Sequence, residues 1–406
     1  MRLLLVNASL VLPPKRGVAT GSLCIEEGVI KDVHLSGDCV DEYLADDADE
    51  VIDCGGDFVV PGLIDIHCHG AMGRDAMEAN SEAFEAVLRY HATRGTTTVV
   101  LTTVAASTAE MLAVLHCAEE FSGRRMEGGK RFQQARLAGI HLEGPYFSSL
   151  RRGAHHSEML RHPLPEETRL LREYAAVIRR MTLAPELPGA LQLVREMTAC
   201  GVEMSAGHSD ATREEALDGF AAGISQVTHL YNCMSSLQSK QGIKSAGLAE
   251  AALTTLGVLC EVIADGIHLP ATMLRLAWLA KGWRELVLVS DATSGAGLPE
   301  GSTFELGGLT CRVEEGASWT GKGPEKRLAG STAAMLDGVR VMVEQAGVPL
   351  AEAVAMATIV PAGALSQDDS IGSLEVGKKA DLLRFSSDWK VKGVWLGGEK
   401  LETAAR

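Results

Sequence analysis

Through the middle of the chain, short apolar runs alternate with longer amphipathic stretches. The runs 63–67, 97–102, 137–143, 181–185, 202–207, 225–229, 258–264 and 286–290 read as strands, and 81–93, 107–121, 189–199, 212–222 and 271–281 read as helices between them. Ser107 and Glu110 have the spacing of a capping box ahead of one helix, and Gly95 and Gly223 stand where helices should stop. Eight strands alternating with helices predict an α/β fold, a closed parallel (β/α)8 TIM-like barrel rather than an open sheet.

The two ends have another texture, of short strands and turns. Ser22-Leu23-Cys24-Ile25, a turn at Glu26-Glu27-Gly28 and then Val29-Ile30 predict a hairpin, and Leu382-Leu383 and Val394-Trp395-Leu396 continue the pattern near the other end. Chain ends commonly lie close together. The expectation is one small β-sandwich domain built from residues 1–56 plus 366–406, and a barrel over 57–365.

Composition narrows the function. With 406 residues and 46% hydrophobic content, the chain can bury a sizeable core. A net charge of −15 disfavours nucleic acid and anionic membrane as partners, yet leaves room for a small anionic substrate in a locally positive pocket. Nine cysteines, an odd number without a C-x-x-C pair, point to reduced thiols and a cytoplasmic location rather than a disulfide framework. The apolar start Leu3–Val6 is broken by Asn7, Ser9, Pro13 and Pro14, which suits a first strand better than a signal peptide. No stretch reaches the roughly 20 apolar residues that span a bilayer.

Chemistry collects at strand ends. His67 and His69 are two apart, so both face one side of the first strand while Cys68 faces the other. Glu143 ends the third strand, His208 the fifth, His229 the sixth and Asp291 the eighth. A lone strand-end histidine is more commonly a satisfied polar residue than a ligand, and H-x-H by itself is weak. Ligand types at five strand ends are another matter, because a barrel gathers those ends at one face. Imidazole and carboxylate suit one or two divalent ions such as zinc or iron. A carboxylate can bridge two cations, which makes Glu143 the natural bridge. Water on such an ion has a pKa of about 7, and a neighbouring carboxylate such as Asp291 can take its proton and pass it to a leaving group. No chemistry is assigned to His34, His91, His116 or His162; His141 either supports the ligands from behind or is packed core.

These residues and their neighbours resemble the amidohydrolase superfamily and, within it, the N-acetylglucosamine-6-phosphate deacetylases. The likeness rests on Pro61-Gly62-Leu63-Ile64-Asp65-Ile66-His67-Cys68-His69-Gly70, His141-Leu142-Glu143-Gly144-Pro145, Ala206-Gly207-His208-Ser209, Thr228-His229-Leu230-Tyr231-Asn232, Ala264-Asp265-Gly266-Ile267-His268, Val289-Ser290-Asp291-Ala292, Leu328-Ala329-Gly330-Ser331 and Gly377-Lys378-Lys379-Ala380-Asp381-Leu382. It implies metal-dependent hydrolysis of the N-acetyl group of a 6-phosphorylated amino sugar by a homodimer. It also implies that Glu143, His208 and His229 hold the more constant ion, while His67, His69 and Asp291 complete a second. His155, with His156 as the neighbouring alternative, would stabilise the oxyanion. Ala154, Asn232, Cys233, His268, Leu328, Ala329 and Gly330 would line the substrate site.

One segment departs from the family pattern. An arginine usually follows the H-L-x-N segment and reaches the phosphate across the dimer interface, but here the stretch is Ser239-Lys240-Gln241-Gly242-Ile243-Lys244-Ser245-Ala246-Gly247. Lys244 fits by distance to Gly247, and Lys240 by distance from His229. Lysine binds phosphate as a point charge without the arginine fork. An unphosphorylated or otherwise substituted N-acetyl sugar is therefore the alternative substrate. A dihydroorotase-like activity fits less well, since its bridging carboxylated lysine is missing where Glu143 stands. A non-catalytic scaffold of the same fold is the remaining alternative, although every expected ligand is intact.

Overall fold

The structure, a computed structural model, describes residues 2–36, 48–123 and 133–402. Its centre is a sheet of eight strands in chain order: Leu63–Cys68, Thr96–Thr102, Arg136–Glu143, Ile178–Leu183, Glu203–Ala206, Ile224–Val227, Leu259–Ile263 and Leu286–Val289. All neighbours within it are parallel. At the C-terminal end, the Asp291 amide donates to the His67 carbonyl at 2.9 Å and the His69 amide to the Ala292 carbonyl at 2.8 Å, so the last strand meets the first and the barrel closes there. The strands are buried on both faces, as a helix-wrapped parallel sheet requires.

The expected helices are found as Ser81–Thr93, Thr108–Gly123, Ala190–Thr198, Arg213–Ala222 and Ala271–Lys281. Ser107 and Glu110 cap one of them reciprocally: the Ser107 amide donates to the Glu110 carboxylate at 2.9 Å and the Glu110 amide to Ser107 Oγ at 3.3 Å. Gly95 and Gly223 take left-handed φ values of 96° and 127° just past helix ends.

Two regions go beyond the sequence-based reading. Helices Pro165–Glu173, Leu248–Thr254, Met335–Glu344, Leu350–Met356 and Ile359–Ala364 complete the outer layer. After the eighth strand, Thr303–Leu306, Leu309–Glu314, Ala317–Thr320 and Arg327–Ser331 form an antiparallel sheet. Its alternate residues Phe304, Leu306, Cys311, Val313 and Ala329 bury a small core with Val104 and Ala154, which lays the sheet over the barrel mouth.

The chain ends build one further sheet, in which the hairpin of Val18–Glu26 and Val29–Leu35 lies beside Arg2–Val11 as the turn at Glu26-Glu27-Gly28 predicts. Phe58–Pro61 joins the two ends, pairing parallel with Ser9 and Leu10 and antiparallel with Leu382–Phe385, so this sheet runs to residue 61 rather than stopping at 56. It curls around a core that takes Leu3, Leu5, Leu23 and Ile25 from one end and Leu382 and Trp395 from the other. Asp381 of the G-K-K-A-D-L motif ties this domain to the barrel. Its carboxylate pairs with Arg136, its carbonyl accepts from the Gly62 amide at 2.7 Å, and its Oδ1 accepts from the Gly397 amide at 2.7 Å. Among the described residues no helix is long and apolar enough to cross a membrane.

Candidate metal centre and its pocket

The strand ends deliver all six predicted ligands to one point in the barrel mouth. His208, His229 and Asp291 sit where their strands stop and take left-handed φ values of 48°, 31° and 48°. Such a backbone costs a non-glycine residue on the order of 1–3 kcal/mol and persists only where surrounding bonds hold it. Those bonds are present: the Ser148 amide donates to the His208 carbonyl at 2.9 Å, the Leu230 amide to the Glu261 carbonyl at 2.7 Å, and the Asp291 amide to His67. The sharp turn swings each side chain off the barrel wall and into the mouth.

Glu143 lies at the centre. Its Oε1 is 3.2 Å from His208 Nε2 and 3.1 Å from His229 Nε2, and those two nitrogens are 3.1 Å apart. A tetrahedral ion with bonds of about 2.0–2.1 Å spaces its ligands by roughly 3.3 Å, so this triangle fits one face of such a shell. On the other side, His69 Nε2 is 3.2 Å from Glu143 Oε2 and 3.3 Å from Asp291 Oδ1, and His67 Nε2 is 3.4 Å from Asp291 Oδ1 and 3.5 Å from Glu143 Oε1. The structure thus contains two groups able to hold a metal ion, Glu143–His208–His229 and His67–His69–Glu143, with Glu143 common to both.

The proton positions agree. His69 Nδ1 donates to the Thr102 carbonyl at 3.2 Å, His208 Nδ1 to the Arg151 carbonyl at 2.9 Å, and His67 Nδ1 to Glu261 at 3.1 Å. Each such bond leaves the Nε2 lone pair facing the centre, as a ligand requires. Glu261 also accepts from the His229 amide at 3.1 Å and pairs with Arg180; both side chains are wholly buried. His141 sits behind His67, its ring edge-on at 4.7 Å, and is bonded to Thr102 and Thr182. Burial, then the positive Arg180, hold His141 well below the usual imidazole range. It is therefore a neutral support for His67 and Thr102. Asp65, Cys68 and His91 also lie close together, but their atoms serve internal bonds: Cys68 Sγ and His91 Nε2 are 3.1 Å apart, and Asp65 accepts from Ser290 Oγ at 2.5 Å.

Electrostatics split the ligands into two sets. Burial lowers His208 and His229 more than Glu143 raises them, so both are neutral at pH 7 and present bare lone pairs to each other. Burial also pushes His67 and His69 down, but the Glu143 and Asp291 carboxylates outweigh it, raising His67 and taking His69 to about 9. Burial would raise Asp291, yet His67 and His69 hold it at about 2, and His67, His155, His208 and His229 keep Glu143 well below the carboxylate range. Two buried carboxylates therefore impose a demand for positive charge, which protons on His67 and His69 or a divalent cation can meet.

A cavity of about 110 Å³ opens above this centre. Pockets that enclose whole drug-sized ligands hold about 300–1,000 Å³, so this one is too small to enclose a ligand of that size entirely. It is lined by His69, Glu143, His208, His229 and Asp291 together with His155, Ala154, Asn232, Cys233, His268, Leu328, Ala329 and Gly330. His155, not His156, enters. Its Nδ1 accepts from the Ala105 amide at 3.1 Å, which places the hydrogen of the neutral ring on Nε2, 3.5 Å from Glu143 Oε2. His268 Nδ1 donates to Asp265 at 2.6 Å. Burial lowers the His268 pKa, but Asp265 overrides it and the net shift is upward. Gly330, at φ 87°, lies so close to Asp291 that a Cβ would come within 2.8 Å of its carbonyl oxygen.

Lys244 lies exposed on a hairpin of Gln238–Lys240 and Ile243–Ser245 and does not line this chain's own cavity, as a residue expected to act across a dimer interface need not. Lys240 ends the first strand of that hairpin, and its side chain lies outside the described residues. Sequence reasoning missed Val104, Ile263 and Leu306 in the lining, and Glu261 and Arg180 behind the ligands. Leu306 was findable, because Phe304 and Leu306 alternate with polar residues ahead of a Gly307-Gly308 turn.

The chain is similar to known proteins over most of its length. The Amidohydrolase family model matches residues 58–401. The chain is 35% identical over 349 residues to an N-acetylglucosamine-6-phosphate deacetylase of Vibrio furnissii, covering 86% of this chain and 84% of that one. It is 34% identical over 345 residues to an N-acetylgalactosamine-6-phosphate deacetylase of Escherichia coli O157:H7, covering 84% and 87%. The crystal structure of N-acetylglucosamine-6-phosphate deacetylase from Pasteurella multocida superposes with a TM-score of 0.88 at 28% identity, over 98% of this chain and 99% of that one.

Proposed function

The chain belongs to the amidohydrolase family, and we propose that its site hydrolyses the N-acetyl group of N-acetylglucosamine-6-phosphate to give glucosamine-6-phosphate and acetate. One observation carries the reading. Glu143 stands between two histidine pairs, with Asp291 and the Nε2–H of His155 facing the same cavity, in a chain about a third identical to named deacetylases. At such a site, a divalent ion supplies polarisation of the acyl oxygen and lowers the pKa of water to about 7.

The remaining steps belong to the protein. Asp291, ionised at neutral pH, takes a proton from the attacking water and returns it to the nitrogen as the C–N bond breaks. His155 donates from Nε2 to the acyl oxygen as negative charge builds there. His268 and Asn232 line the same cavity and are suited to sugar and phosphate contacts.

The ion in this proposal is zinc or iron, at Glu143, His208 and His229, with a second at His67, His69 and Asp291. The homodimer and the cytoplasmic location implied by the resemblance belong to the same proposal. A galactosamine epimer is a second reading, favoured by the near-equal identity to relatives of both names.

The test is kcat/KM of the metal-loaded protein on N-acetylglucosamine-6-phosphate, N-acetylgalactosamine-6-phosphate and N-acetylglucosamine. A preference of several orders of magnitude for a phosphorylated sugar is expected. Comparable rates on the free sugar would move the activity to unphosphorylated N-acetyl sugars, and no turnover on any of the three would refute the substrate class.

A further inference from the structure

Apart from its histidines, the lining of this chain's cavity contains no cationic side chain. We propose that Arg327, from the same chain, holds the phosphate at the rim of the pocket, in the place that sequence reasoning gave to a lysine of the 238–245 hairpin. The inference rests on the phosphosugar reading above.

Position is the first argument. Arg327 opens the strand Arg327–Ser331, immediately before Leu328, Ala329 and Gly330 of the lining. Arg327 pairs with Thr320 and Thr320 with Cys311, so Arg327 shares the face of Cys311, which belongs to the small core with Ala329, Leu306, Val104 and Ala154, the last four of which roof the cavity. The guanidinium Nε donates to the Gly153 carbonyl at 3.1 Å. Gly153 is itself pressed against the pocket wall: a Cβ there would lie 2.7 Å from Cys233 Sγ and 3.1 Å from the His208 ring. One residue therefore separates Arg327 from the lining at Cys233 and Ala154. Arg151 and Arg327 both draw the Cys233 thiol pKa down, although burial still holds it at about 12.

Availability is the second. Arg151 is held by Asp210 at 2.7 Å, Lys326 by Glu314 at 3.0 Å, and Arg152 donates to the His155 carbonyl at 3.0 Å, which steadies the loop carrying the oxyanion donor. Arg327 has no carboxylate partner among the described residues, and its bond to Gly153 uses only Nε. Both Nη groups remain as a fork whose orientation the Nε bond sets. A planar fork of this kind suits two oxygens of one phosphate. The small cavity agrees with a place at the rim, because a ligand it does not enclose entirely extends there.

The test compares the ratio of kcat/KM on N-acetylglucosamine-6-phosphate to that on N-acetylglucosamine in the wild type, Arg327→Ala, Arg327→Lys, Arg327→Gln and Lys244→Ala, each metal-loaded and checked for its fold by circular dichroism. Charged hydrogen bonds of this type correspond to about 10–100-fold in affinity. The ratio should fall by about that factor in Arg327→Ala and Arg327→Gln, mainly through KM. Arg327→Lys should recover only part of it, and Lys244→Ala should change it by less than about threefold. Lysine keeps nearly the length of the side chain and glutamine its packing as far as the δ carbon, so a folding defect in the alanine variant leaves the test intact. If the wild type favours the phosphate ester and the ratio survives in the folded Arg327 variants, the inference is wrong and the proposed function stands. If Lys244→Ala alone collapses the ratio, the phosphate belongs to the hairpin. A wild type without preference overturns the phosphate reading and this inference together.

Discussion

Replacing Glu261 by glutamine probes how the centre is held from behind. Glu261 accepts from His67 Nδ1 and the His229 amide through Oε2, while its other oxygen faces Arg180. Glutamine can present its carbonyl to His67 and His229, but its amino group then meets the Arg180 guanidinium, donor against donor. Arg180 is fully buried, and its remaining bond is to the Ile66 carbonyl at 3.4 Å. Burial already brings its pKa down to about 9. Removing one partner of a buried ion pair costs about 3–5 kcal/mol, so urea unfolding of chelator-treated Glu261→Gln should show a loss of that size. A partner behind a metal ligand is worth about 10–100-fold in affinity, and competition with a chromogenic chelator should find zinc binding weakened by that factor. The double variant Glu261→Gln/Arg180→Met removes both charges. It should regain most of the stability but not the affinity, since His67 still lacks its carboxylate. Wild-type stability in the single variant, or a double variant less stable than the single, would refute the charge-pair reasoning. Unchanged zinc affinity would refute the role assigned to Glu261.

His155→Ala should lower kcat by about 10²–10³ with metal content intact; a change confined to KM would place His155 in binding instead. His69, whose pKa rises from 6.5 to about 9, stabilises the metal-free protein below pH 6.5 and loses that contribution as pH rises through 9. The loss is on the order of 3 kcal/mol. Urea unfolding of chelator-treated protein should show it between pH 6.5 and 9, and zinc should abolish the dependence because it displaces the proton; a flat metal-free profile would refute it. The raised pKa of His268 keeps it cationic to higher pH than a free histidine. KM for the phosphorylated sugar should therefore increase as pH rises through that value, and His268→Asn should flatten the trend. An identical slope in the variant would exclude His268 from anion recognition.

Much of the fold was legible because its signals are local. Each apolar run is buried on both faces whatever its neighbours, and Ser107, Gly95 and Gly223 act within one helical turn, so strands, helices and stops could be read in place. The sheet over the mouth was not read, because its strands are short and the alternation at Phe304 and Leu306 runs over only four residues. The same limit moved the edge of the terminal domain to residue 61: Phe58–Pro61 is apolar like a barrel strand, and only its pairing with Ser9 and Leu382–Phe385 assigns it.

By itself, the sequence determined which residues can bind a cation, since imidazole and carboxylate at strand ends carry that chemistry in any fold that gathers the ends. Only the tertiary structure decided how they meet. It placed Glu143 within 3.2 Å of nitrogens from three other strands, put Glu261 and Arg180 behind His67, brought His155 rather than His156 into the cavity through one amide of Ala105, and set the Arg327 guanidinium on the Gly153 carbonyl. Ligand identity is a property of side chains and travels with the chain. Distance, proton position and access belong to the packing of segments far apart in sequence, and no local pattern encodes them.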